Sequence, residues 1–264
     1  MFKLGADPEI FLQDAASAYV SAIDKIGGSK EQPKPLPIGE GFAVQEDNVA
    51  IEYNIPASDS RHAFTNNIGK AMSYLSDTVA AMGLRFSHES AVSYPASELA
   101  DLRALTFGCD PDFNAWRKGR RNPRPKASDH ALRTCGGHVH IGGATGSPFQ
   151  SEEDVINFIK HMDLFLGIPS VLMDKGELRK ELYGKAGAFR YKTYGCEYRS
   201  LSNFWIFDEK LTNWVWDSTA MAMTAWQGNA FDIDSDKDLI IESINNNNKL
   251  MAERLVDKYS LLVV

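Results

Sequence analysis

Gly137-His138-Val139-His140-Ile141-Gly142 alternates apolar side chains with imidazoles. Successive side chains of a strand point to opposite faces. A strand here therefore turns Val139 and Ile141 to one side and His138 and His140 to the other. Three further segments alternate in the same sense. In Phe2–Leu12 the even positions are Phe2, Leu4, Ala6, Pro8, Ile10 and Leu12, while Asp7 and Glu9 share the odd face. In Asn48–Asn54, Val49, Ile51 and Tyr53 oppose Glu52 and Asn54. In Gly195–Leu201, Glu197 and Arg199 lie on one side.

An exposed sheet face ordinarily carries Lys, Thr, Ser and Gln. These four segments instead gather Asp7, Glu9, Glu52, His138, His140 and Glu197 around a single cation, Arg199. Each segment alone reads as a turn, a pair of core histidines or a surface ion pair; the coincidence of all four points to a site. Crowded carboxylates repel and hold protons unless a cation neutralises them. A carboxylate-dominated set suits Mg²⁺ or Mn²⁺ better than Zn²⁺.

The rest of the chain bounds the possibilities. It has 264 residues, a formal charge of −7, 44% hydrophobic and 24% charged residues. That is the balance of one ordinary folded domain, expected to span 1–264. An acidic chain is a poor prior for nucleic-acid binding. Cys109, Cys135 and Cys196 are widely spaced and read as reduced thiols of a cytoplasmic protein. Asp7 and Glu9 interrupt any signal peptide. The most apolar stretch, Phe165–Met173, holds Gly167 and Pro169 and is expected to be too short for a membrane span.

The second half is expected to be mainly helical. Ser58–Leu84 has apolar residues at helical spacing, with Asp59 or Ser60 as its cap and Gly83 at its end. Ser151 with Glu152, Glu153 and Asp154 starts a second helix, expected to run to about Leu166. Asp208–Gln227 and Asp236–Tyr259 read as two more. Gly27–Gly41 and Asp110–Asp129 read as long loops. The second carries Arg117, Lys118, Arg120, Arg121, Arg124 and Lys126, either a solvated loop or a lid for an anionic ligand.

These residues resemble a known family. Gly136-Gly137-His138-Val139-His140 is similar to the Gly-x-His-x-His strand of glutamine synthetases. Glu197-Tyr198-Arg199-Ser200-Leu201 is similar to the Glu-x-Arg strand of that enzyme and of glutamate–cysteine ligases. Asp7-Pro8-Glu9 matches their Glu-x-Glu with one shorter acid, and Ile51-Glu52-Tyr53-Asn54-Ile55-Pro56 matches a ligase segment. With Gly5-Ala6-Asp7-Pro8-Glu9, Gly27-Gly28-Ser29-Lys30-Glu31 and Gln45-Glu46-Asp47-Asn48, the whole set resembles a phage-encoded group of carboxylate–amine (COOH–NH2) ligases.

The resemblance implies an α+β fold, a curved antiparallel sheet with the site on its concave face and helices behind. It implies an enzyme that uses ATP, with Mg²⁺ or Mn²⁺, to activate a carboxylate as an acyl phosphate for attack by an amine. Asp7, His138 and Glu197 would hold the metal bridging the phosphates. Glu9 and Glu52 with one further acid, Glu46 or Asp47, would hold the metal nearer the acceptor; Glu46 shares strand parity with Glu52, Asp47 fits the phage pattern. Arg199 and Glu52 are the expected catalytic residues, and Arg199, Arg190, Lys192 and His140 the expected nucleotide or substrate contacts. The implied partners are small-molecule or peptide acids and amines, whose identity the motifs leave open. No nucleic acid or membrane is expected; an oligomer and a location in the cytoplasm of a phage host are compatible with it. The rival readings are a metal-dependent hydrolase or oxygenase using the same ligands, and a nucleotide-binding relative without turnover.

Overall fold

In a computed structural model of the chain, residues 2–105, 112–123 and 131–264 are described. Cys109, Arg124 and Lys126, with the rest of 106–111 and 124–130, lie outside them. The fold mixes helices with antiparallel sheets. A six-stranded sheet runs in the order β1 (Phe2–Ala6), β13 (Val139–Gly143), β15 (Gly195–Tyr198), β14 (Ala188–Lys192), β10 (Phe113–Asn114), β11 (Arg120–Arg121). A four-stranded sheet runs β2 (Glu9–Ile10), β7 (Ala50–Asn54), β6 (Ala43–Asp47), β5 (Lys34–Pro35). Two small sheets complete the set. One joins β4 (Tyr19–Val20), β3 (Leu12–Gln13) and β8 (Arg85–Phe86), the other β12 (Leu132–Thr134) and β9 (Ala91–Ser93).

Phe2–Leu12 is thus not one strand. The ladder of β1 stops at Asp7-Pro8, because proline has no N–H to donate. The segment still stitches the two large sheets together. Glu9 N donates to Gly136 O at 2.9 Å on one side, and Tyr53 N donates to Pro8 O at 3.2 Å on the other. Leu4, Ile10 and Leu12 are fully buried, and Asp7 and Glu9 keep only 9% and 7% of their surface. These two acids of the polar face are therefore nearly closed from solvent.

Val139 and Ile141 face the helices and are fully buried, worth about 1.5–3 kcal/mol each in removed apolar surface. α1 (Arg61–Ala80) is capped by Ser60, which accepts from Ala63 N. Ser151 caps α2 (Glu152–Met162) with a full capping box through Asp154. α2 does not end near Leu166. It passes through a π-helical turn, Asp163–Gly167, into α3 (Ile168–Met173). Pro169 sits in the first turn of α3, where a missing N–H costs little. Gly167 is required there, since a Cβ would lie 2.7 Å from Ile244 Cδ1 and 2.8 Å from Tyr198 Oη. Glu152–Met173 is consequently long and apolar enough to cross a membrane, against expectation. Of its most apolar window 78% is buried within the protein, the position of a core helix. α4 (Glu209–Gln227) follows the expected helix and is capped by Asp208, which accepts from Lys210 N. Asp236–Tyr259 divides into α5 (Lys237–Asn245) and α6 (Lys249–Tyr259). The break falls on the asparagine run, where Asn247 is left-handed and Asn248 caps α6.

Asp163, at the π turn, joins the helices to the back of the large sheet. Its carboxylate accepts from Trp116 Nε1 and Gly187 N, both at 2.6 Å, from Tyr198 Oη at 2.8 Å and from Ser200 Oγ at 3.2 Å. Asp163→Asn would turn an NH2 toward groups that are all donors. A loss of about 2 kcal/mol is expected in denaturant unfolding; a neutral result would mean that the four bonds do not act together.

Candidate active site

Register sets the first half of the site. His140 pairs with Gly5 on one side and Glu197 on the other, and Glu197 pairs in turn with Arg190. One row across the sheet therefore reads Gly5, His140, Glu197, Arg190. The next row reads Lys3, Gly142, Gly195, Lys192. His138 precedes β13 and is held by two glycines with no room for side chains. A Cβ on Gly136 would lie 2.1 Å from His138 Nε2, and one on Gly137 would lie 2.4 Å from Ser202 O. Gly136 N also donates to Glu9 Oε2 at 2.7 Å.

Register also sets the second half. Glu9 pairs with Glu52, and Glu52 with Gln45. β6 and β7 are joined by a two-residue turn, Asn48-Val49, with Asn48 at φ 55°. Across such a turn an odd residue pairs with an even one. Asp47 therefore shares the face of Glu52, whereas Glu46 pairs with Ile51 and faces away. Strand parity with Glu52 therefore fails for Glu46, because the turn breaks the strand the two would have to share. Glu46 instead accepts from the backbone of Asp24, Ile26 and Gly27. Gln45 Nε2 donates to Glu52 Oε2 at 2.9 Å.

Two groups follow, Asp7/His138/Glu197 and Glu9/Asp47/Glu52. In each, one ligand atom per residue lies within 4.8 Å of the others. Asp7, His138, Glu9, Asp47 and Glu52 line a cavity of about 480 Å³, with Glu197 fully buried next to Asp7 and His138. Arg190, Lys192, Arg199 and His140 line it too, as do residues given no site role from the sequence, among them Lys3, Lys30, Gln45 and Tyr194. Lys30 belongs to the Gly27–Glu31 motif, so its signal was present; Tyr194 lies in the β14–β15 turn and had none. Tyr194 Oη lies 2.5 Å from His140 Nδ1, and His140 Nε2 lies 3.0 Å from Asp7 Oδ1. Asp112 also went unread. It is 2.7 Å from Arg199 Nε. The exposed Arg117, Lys118, Arg120 and Arg121 sit at the sheet edge and do not line this cavity.

Glu197 is fully buried. It pairs with the Arg199 guanidinium, with Lys192 Nζ at 2.8 Å and with Arg190 at 3.6 Å. Burial, the largest influence, opposes its charge, but Arg199 together with His140 and His138 holds the carboxyl well below its usual range. Asp7 is lowered too, against burial, by His140 and His138. Burial and Arg199 push the His138 imidazole down to about 4, so it is neutral at pH 7 with a lone pair to offer. The second group is opposite in character. Burial and Asp47 push Glu9 up to about 8. Burial, with Asp7, Asp47 and Glu9, raises Glu52 well above normal. Three acids that resist ionising together in a buried place have the chemistry of a divalent-cation site.

The sign of the linkage is definite. Between its ordinary 4.5 and about 8, Glu9 binds more proton folded than unfolded, so stability falls as pH rises through that window. His138 gives the opposite slope only below 6.5, and Lys180, pushed by burial down to about 8, only above that value. Metal-free protein is therefore expected to melt lower at pH 8 than at pH 6.5, and Mn²⁺ to raise the melting temperature more at pH 8. Calorimetry with and without Mn²⁺ at the two values checks this; an equal Mn²⁺ effect at both would refute it.

Fold and site together define a sheet protein with two carboxylate-rich ligand sets flanked by cations. Residues 128–237 match the family described as phage phiEco32-like COOH.NH2 ligase-type 2, so the resemblance to phage-type carboxylate–amine ligases is borne out there. No curated protein matches the chain in sequence. Among solved structures, a bifunctional glutathione synthetase from Pasteurella multocida is similar over 98% of this chain, with 10% identity and a TM-score of 0.44. The chain spans 49% of that structure's length.

Proposed function

We propose that the chain is an ATP-dependent carboxylate–amine ligase, one catalytic domain of the glutamine synthetase and glutamate–cysteine ligase type, acting in the cytoplasm with the cavity on the concave side of its sheet. The observation that carries this is two neighbouring ligand sets, Asp7/His138/Glu197 and Glu9/Asp47/Glu52, all but the buried Glu197 lining one cavity with Arg190, Lys192 and Arg199. A site for hydrolysis alone has no use for that row of cations; a triphosphate does.

The residues fit Mg²⁺ or Mn²⁺: oxygen-rich, buried and short of positive charge at Glu9, Asp47 and Glu52. Bound there, the metals would neutralise phosphate charge as it shifts during transfer. Arg190 and Lys192 hold the phosphate chain. Arg199, pinned between Glu197 and Asp112, presents a fixed guanidinium to the transferring phosphoryl group. The substrate carboxylate attacks that phosphorus and ADP leaves, giving an acyl phosphate. The amine then attacks the acyl carbon, phosphate departs, and the amide forms with loss of the amine proton. His140 orients Asp7, and Gln45 orients Glu52, whose carboxylate borders the reacting groups.

ATP titration with and without Mg²⁺ or Mn²⁺ tests the reading. Binding is expected only with metal, at least tenfold weaker in Asp47→Asn and unchanged in Glu46→Gln. No ATP binding in either metal, with tight iron or zinc binding instead, would overturn it.

A further inference from the structure

A second, narrow cavity of about 40 Å³ shares Glu9, Asp47, His138 and Arg199 with the first. Its remaining walls are of three kinds, one of them the uncharged polar side chains of Asn48, Thr134 and Tyr183. Phe11, Val49 and Ala50 are apolar and buried. Arg133 and Arg179 are cations only 2% and 3% exposed. Arg133 spends its donors on Asn48 Oδ1, Leu132 O and Ala104 O, so it supplies field rather than contact. Arg179 donates to Ser200 O at 3.0 Å and Arg199 O at 3.2 Å, and its Nε has no hydrogen-bond partner among the described residues. A buried guanidinium N–H left without an acceptor is costly, and an anion is the natural acceptor.

We propose that this pocket seats the acid substrate: a carboxylate against Arg179 beside Arg199, with a short unbranched alkyl stem against Phe11, Val49 and Ala50. The assignment rests on the ligase reading for what happens to that carboxylate, but not for its binding. With Glu9 and Asp47 neutralised by a cation, Arg133, Arg179 and Arg199 leave the pocket positive. Its size decides the rest. Some 40 Å³ holds a few waters' worth of atoms, enough for a carboxylate and one or two methylenes and too little for an aromatic ring.

The probes are acetate, propionate and benzoate, read by saturation-transfer NMR on the full chain with and without Mg²⁺ and a non-hydrolysable ATP analogue. Acetate and propionate are expected to receive saturation and benzoate not. Ala50→Leu and Thr134→Leu each fill the pocket from a different wall. Each is expected to cut the propionate signal at least fivefold while analogue affinity changes less than twofold. Mn²⁺ needs no variant and is expected to shorten the relaxation of bound propionate protons. Benzoate binding as well as propionate, propionate surviving both filled variants, or no Mn²⁺ effect would each overturn the assignment. Propionate passing every test while the nucleotide analogue fails to bind would sink the ligase reading and leave the anion pocket standing.

Discussion

Glu197→Ala is expected to cost about 3–5 kcal/mol, the penalty for removing one partner of a buried ion pair and leaving the other. For a chain of this size that is a fall in melting temperature of roughly 6–20 °C. Glu197 is fully buried and is the carboxylate between Arg199, Lys192 and Arg190. Arg199 still has Asp112 at 2.7 Å. Lys192 and Arg190 keep 29% and 15% side-chain exposure and can turn partly to solvent, which sets the lower end of the range. Glu197→Gln keeps the volume and accepts one hydrogen bond, so it should lose about half as much. Chemical denaturation of the three proteins decides; a loss under about 1 kcal/mol in the alanine variant would mean that the cations reorganise freely and that the site is softer than its geometry.

Gly137→Ala is expected to prevent folding altogether. The added Cβ would lie 2.4 Å from Ser202 O and 2.4 Å from Trp205 Nε1. Neither can retreat. Ser202 is backbone in an isolated bridge to Gly136. Trp205 is fully buried, stacks on Phe64 at 5.9 Å and donates to Gly137 O at 3.2 Å. Strand β13 would have to leave the sheet, a cost above about 4 kcal/mol. Gly136→Ala makes the instructive comparison. Its Cβ meets the His138 ring at 2.1 Å, and a ring can rotate where a carbonyl cannot. That variant should fold and bind Mn²⁺ at least tenfold more weakly, because His138 is displaced from Asp7 and Glu197. Gly69→Ala, with nothing within 4 Å of the new Cβ, is the control and should gain stability slightly. Circular dichroism and Mn²⁺ titration separate the three outcomes. A well-folded Gly137→Ala protein would show that the Gly136–Ser202 bridge is loose in solution.

Some of this was legible in the chain because it is decided within a few residues. Alternation in Gly137–Gly142 is a property of extended backbone, so the division of Val139 and Ile141 from His138 and His140 needed no partner strand. The caps Ser60 and Ser151 act on N–H groups three residues away. The glycines of Gly136-Gly137-His138 carry their own signal. So did the gathering of Asp7, Glu9, Glu52, His138 and Glu197 around one site, through coincident alternation in four separate segments.

What the chain could not decide alone was how those segments meet. Parity holds along a strand but is reset by a turn, and the two residues Asn48-Val49 were enough to exchange Glu46 for Asp47. Pro8 could be seen, but not that it would hand the chain from one sheet to another and so divide the acids into two groups. Gly167 and Pro169 read as a helix end because the π turn that accommodates them exists only where Asp163 is held by Trp116, Gly187, Tyr198 and Ser200. Arg179 and Asp112 fell in segments with no alternation to mark them; only packing brings Arg179 to the second cavity and Asp112 against Arg199. Local steric preference determined the faces and the caps, while register, charge pairing and the shape of the cavities arose from contacts between residues far apart in the chain, where the free energy of burying a charge depends on every neighbour at once.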